Sequence, residues 1–182
     1  MKTSSITLVG AFMALFIVHS CKSGGKTEPT DIATSYAQCT GQFVSNRHKP
    51  QEFLDSLTLA IQQIQIDNHG SINKKGLETL RKEALEVSNK RISHTLAAKE
   101  IDEQIAMRKK VLAYHRMAKD LLENEFVQVV NILGSESEHR FQECAQILTL
   151  KLNELKSTST AANEAIEAFE QEYHISMTDS DH

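Results

Sequence analysis

The sequence predicts an all-α fold, an antiparallel bundle of about five to six helices held behind an export segment and a flexible tether. Three observations predict it. Apolar residues recur at three- and four-residue steps through every segment beyond residue 31, the period of a helix with one buried face. No stretch alternates apolar and polar residues as a half-buried strand does. The only prolines are Pro29 and Pro50, so nothing beyond Pro50 interrupts a helix by removing a backbone donor. Composition agrees with one compact core: 182 residues, 40% hydrophobic, few aromatics and no tryptophan. A net charge of -4, with both signs interspersed, offers no basic face to nucleic acid and no polybasic run to anionic lipid.

Lys2 gives a short positive start, Ile6 to Val18 is an apolar run, and the chain turns polar at His19-Ser20-Cys21-Lys22. A membrane span needs roughly 20 apolar residues, so this run is an export signal rather than an anchor. Val18-His19-Ser20-Cys21 resembles the lipobox of bacterial lipoproteins, with a branched residue at Val18 and a small one at Ser20; His19 departs from the pattern. The resemblance implies cleavage before Cys21, a diacylglycerol on its sulfur and acylation of the new amine, with chains of the palmitate class. Two or three such chains give a stable anchor where one is marginal. Lys22 to Thr30 is small, polar and glycine-containing, as a flexible spacer is. The expected organisation is a signal peptide over 1–20, a lipidated tether over 21–30, a helical domain over 31–176 and a frayed acidic tail over 177–182. Gly25-Lys26-Thr27 ends like a phosphate-binding loop, but the motif's first glycine would fall at Ser20.

The first helix is expected from Asp31 to about Ser45, with Ile32, Tyr36, Cys39 or Thr40, and Phe43 on one face. A second begins at Pro50, where the missing N–H is harmless, carries Phe53, Leu57, Ile61 and Ile64, and is closed by a left-handed Gly70. A third opens near Ser71 to Asn73 and buries Leu77, Leu80, Ala84, Val87 and Ile92. A helix running on to Leu133 would be about 90 Å long, too long for so small a domain, so a turn is expected between His94 and Asp102, with Asp102 as the next N-cap. The fourth helix, Asp102 to Leu133, ends in the richest apolar stretch and is expected to be central. Gly134 stops it, and Ser135-Glu136-Ser137-Glu138 reads as a capping box. Phe141, Ala145, Leu148, Leu152 and Leu155 then form a four-three seam, bordered by Cys144. Ser157 to Thr160 is either an interruption or a weak spot before Ala162, Ile166, Phe169 and Tyr173.

With Cys21 lipidated, Cys39 and Cys144 remain as a candidate disulfide in an oxidising compartment, or as two small buried hydrophobes. His48, His69, His94, His115, His139 and His174 fall on different segments, none paired with another at helical spacing, so no metal site is expected. Glu136-x-x-His139 matches half of a di-iron carboxylate motif, but a second copy is missing. The glycine-flanked serine, zinc-helix and dinucleotide-loop motifs are absent. No catalytic residue and no cofactor is therefore expected. The mature chain also resembles small all-helical bacterial surface lipoproteins of unknown function, through Leu112-x-Tyr114, Leu122-Glu123-Asn124-Glu125-Phe126 and Ile132-Leu133. Tyr114 is the candidate ligand contact if it borders a groove.

The functional expectation is a lipid-anchored cell-envelope domain, on the periplasmic or surface side, with a binding or structural role toward an envelope protein or ligand. A metal-binding bundle or enzyme of the di-iron type is the alternative.

Overall fold

The computed structural model describes residues 27–67 and 70–175. The expected signal peptide, Cys21, most of the tether, His69 and the acidic tail lie outside the described residues. Six helices follow in order: α1 Pro29–Thr40, α2 Lys49–Ile66, α3 Lys74–Ala97, α4 Met107–Glu123, α5 Glu125–Leu133 and α6 Arg140–Tyr173.

They build four rods. The first is α1 followed in line by α2, the second α3, the third α4 followed by α5, and the fourth α6. Contacts between rod ends fix the directions. The Arg81 guanidinium near the start of α3 donates to the Leu122 carbonyl near the end of α4, while Arg108 at the start of α4 donates to Thr95 and Leu96 at the end of α3. Those two helices are therefore antiparallel. Cys144 near the start of α6 lies against Val129 of α5, and Phe169 near its end shares a cluster with Met107 at the start of α4. α6 is thus antiparallel to the third rod. The first rod lies against α3, and the Tyr36 ring, stacked on Phe169 with centroids 6.4 Å apart, brings it to α6.

The interior consists of two hydrophobic clusters end to end. The larger joins Phe53, Leu57 and Ile64 of α2 to Leu77 and Ala84 of α3, Leu121 and Leu122 of α4, Phe126, Val129, Val130 and Leu133 of α5, and Cys144 and Leu148 of α6. The other joins Tyr36 and Cys39 of α1 to Met107 and Val111 of α4 and Ala162, Ala165 and Phe169 of α6. Each half of the first rod therefore covers one cluster, and the α1–α2 connection passes over the join.

Several boundaries differ from those expected. α1 stops at Thr40 because Gly41 takes the left-handed conformation, φ 71, a region open to glycine without a Cβ clash. Phe43 is consequently not on its inner face. It is 62% exposed, beside the His94 ring. Gly70 is not left-handed; Asp67, in extended conformation, ends α2, and the Gly70 N–H donates to the Asp67 carbonyl. α3 starts as expected, with the Asn73 side chain accepting from the Gly76 N–H, and ends at Ala97, inside the anticipated turn. Asp102 is not the N-cap of α4. It accepts from Gln104 and Ile105 in a turn that precedes the helix.

The long central helix is broken at Asn124, where φ -117 and ψ -78 depart from helical values, although its N–H still bonds Asp120. The predicted capping box does not form. The Ser135 hydroxyl donates to Ile132 and accepts from Ser137, and it is Ser137 that accepts from His139 and donates to Glu143. The buried line at the start of α6 is Arg140, Cys144 and Leu148; Ala145 and Leu152 are exposed and Phe141 half-buried. Cys144, expected at the border of the seam, is fully buried in it. The register shifts because the Arg140 guanidinium turns inward to the Leu133 carbonyl. Ser157 to Thr160 does not interrupt α6: Thr158 bonds back to Glu154 and Leu155, leaving the helix continuous.

Candidate functional site

Polar side chains collect where the two clusters meet. On α3 the apolar face that carries Ala84 and Val87 continues through Ser88, Arg91 and Thr95. On α4 the buried face runs Val111, His115, Leu122, placing an imidazole among aliphatic side chains. These two faces meet under the α1–α2 connection and border a partly open cavity of about 50 Å³. Phe53, Leu121, Leu122 and Phe126 line its apolar side, and Ser88, Arg91, Tyr114 and His115 its polar side.

His115 is 8% exposed and hydrogen-bonds the Cys39 backbone at the end of α1. Burial, reinforced by the charge of Arg91, pushes its pKa down to about 4, against the upward pull of that bond. At neutral pH it is an uncharged imidazole. Tyr114 packs its ring 5.3 Å from that of His115 and is half-buried, so the residue singled out in the sequence as a ligand contact does border the cavity. The Ser88 hydroxyl donates to the Ala84 carbonyl, which leaves its oxygen lone pairs toward its surroundings.

Arg91 reaches across Gly41 so closely that a Cβ at that glycine would stand 3.8 Å from the arginine Cγ and Nε. One Nη donates to the Arg47 carbonyl at 2.8 Å, closing the connection between α1 and α2. The Nε–H is buried without a partner. Burial lowers the pKa of the guanidinium, Tyr114 opposing and Arg47 adding to that effect, but an arginine so placed keeps its charge.

The two cysteines are free thiols in different clusters, Cys39 with Tyr36 and Phe169, Cys144 with Leu121 and Leu148. Of the two readings left open for them, the bridge is not formed in the structure, and both are buried among apolar side chains. Burial, the leading cause at both, pushes Cys39 up to about 12 and Cys144 up to about 11, so both are protonated and poor nucleophiles. Glu136 and His139 are exposed in the turn before α6 rather than on an inward helix face. Among the described residues no three His, Cys, Asp or Glu side chains are grouped closely enough to hold a metal ion.

Tyr114 was legible through its place in the apolar helix. Ser88, Arg91 and His115 were not singled out as site residues, although a signal exists: each is a polar residue at a position where the helical period calls for an apolar one. Comparison with protein-family models, with curated proteins and with solved structures finds no match for the chain.

Proposed function

We propose that the protein is a non-catalytic, lipid-anchored helical domain of the bacterial cell envelope that binds a small ligand or an envelope partner. The observation that carries the anchoring is the sequence Val18-His19-Ser20-Cys21 directly after the apolar run Ile6 to Val18. Among the described residues no helix is long and apolar enough to cross a membrane, so acyl chains on Cys21 supply the attachment in this reading. The tether from Lys22 lets the bundle stand away from the bilayer surface. A binding role draws its support from the seam cavity, where an apolar wall faces a few convergent polar groups, the usual composition of a ligand site.

Replacing Cys21 by Ser tests the anchor. The full chain is expected in the membrane fraction, resistant to high salt. A chain beginning at Lys22 behind an ordinary secretory signal is expected in the soluble fraction, with the same helical circular dichroism and melting temperature. Continued sedimentation of that chain with membranes would contradict the reading.

A further inference from the structure

The seam cavity holds a half-buried cation that no acidic side chain among the described residues neutralises. Among the described residues Arg91 forms no ion pair; the titratable groups that act on it are Arg47 and Tyr114, and it shares the cavity lining with Ser88 and the imidazole of His115. One of its five donors is engaged with the Arg47 carbonyl, and its Nε–H has no partner. Arg81, near the start of the same helix and more deeply buried than the half-buried Arg91, is satisfied differently: it pairs with Glu78 and closes the Leu122 carbonyl. An uncompensated charge beside a mostly apolar wall marks a place for a ligand that brings the opposite charge and an apolar part together.

Size narrows the class. A water needs on the order of 10 to 15 Å³ of such space, so a cavity of about 50 Å³ accepts about four heavy atoms, the count of an acetate ion. A nucleotide, a flavin or a whole fatty acid is too large for it. The cavity is partly open, with the half-buried Pro50, Ala118 and Leu155 in its lining, and leaves room for one more methylene. His115 is neutral near pH 7 and so adds no second charge to attract a dianion.

We propose that the seam cavity binds a small aliphatic monocarboxylate of the size of acetate or propionate, its carboxylate on the Arg91 guanidinium and its alkyl end against Phe53, Leu121 and Leu122. Tyr114 lines the same cavity, and its hydroxyl is the second donor in this proposal. This deepens the binding role proposed above and rests on it, but not on the lipid anchor.

The test uses the purified full chain in detergent, with sodium propionate as the probe and saturation-transfer NMR on its methyl group as the readout. Saturable binding is expected with a Kd on the order of 1 mM or tighter, the range open to so few atoms. Propionamide, of the same shape without the charge, is expected to bind at least tenfold more weakly. Arg91→Gln should cost at least tenfold. Because Arg91 also ties down the α1–α2 connection, a second variant, Ala118→Leu, adds bulk to the cavity lining while keeping the arginine, and should cost the same. Propionate binding no better than propionamide would overturn the proposal. So would unchanged affinity in an Ala118→Leu protein of native helicity. Either result leaves membrane attachment, read by fractionation, as it was, so a failure here and a failure of the anchor are told apart.

Discussion

His115 couples the join between the clusters to pH. In the unfolded chain its imidazole takes up a proton near pH 6.5, whereas in the fold burial and Arg91 hold that uptake down to about 4. Between these values the unfolded state binds the extra proton, so stability from this residue is complete above pH 6.5 and is lost as pH falls toward 4. The loss is on the order of 3 kcal/mol at its fullest. Denaturant midpoints at pH 7 and pH 4.5 measure it. The native protein is expected to weaken more than His115→Gln over that interval, the difference between them removing the share of the carboxylates; parallel profiles would contradict the assignment. The thiols make a second residue-scale prediction. Cys39 and Cys144, buried and protonated, are expected to resist iodoacetamide at pH 8 in the native state and to react fully in guanidinium. Rapid native labelling, read by peptide mass, would show that the clusters open. At this scale the sequence was informative where a residue agrees with its period, as Tyr36 and Cys39 do. It was less so at Ser88, Arg91 and His115, whose burial depends on which rods lie opposite.

At the scale of elements, α3 keeps a local cap at Asn73, whereas several other connections are closed by side chains from outside the helix's own capping position. Ala106, the residue before α4, has φ 53 and no polar side chain. Its capping role is taken by Glu100, whose carboxylate accepts from the Arg108 and Lys109 N–H groups at 3.1 and 3.0 Å. Arg108 in return donates to the last carbonyls of α3, so one pair of side chains holds both ends of the turn. Ser35 and Asp31 of α1 are tied to the same turn through Lys99. Glu100→Ala is expected to cost about 1 to 2 kcal/mol in thermal or denaturant unfolding, as loss of a strong N-cap does, with Glu100→Gln costing less. Arg140 closes the Leu133 carbonyl at the end of α5, and Arg81 the Leu122 carbonyl at the Asn124 break. Arg81→Met should cost about 1 to 3 kcal/mol, because it leaves a buried acceptor without its donor. A neutral result would place the energy of the break elsewhere.

These non-local closures explain which boundaries were legible. Pro50, Asn73 and the turn after Ala97 follow from local chemistry and length. Asn124 has no glycine or proline beside it, and the carbonyl freed there is satisfied from α3, forty-one residues away. Neither Ser135 nor Ser137 caps α6, whose N-cap is His139; Ser137 instead ties the preceding turn to Glu143. The stop at Gly41 is hidden in the sequence because Phe43 continues the apolar spacing of α1 beyond it.

At the scale of the whole molecule, the all-α antiparallel architecture follows from periodicity and chain length. The proposed function adds a tether and a lipid at one end of this bundle, with the ligand cavity at the middle of its length. Attachment and folding are therefore expected to separate cleanly: removing the lipid should leave the melting temperature of the bundle unchanged. The most direct measurement is intact mass and N-terminal peptide analysis of the chain purified from membranes. The proposal predicts a chain that begins at Cys21 and carries the added mass of a diacylglycerol, with or without a further acyl group on the new amine. A chain beginning at any other residue, or one whose Cys21 is an unmodified thiol, would contradict it.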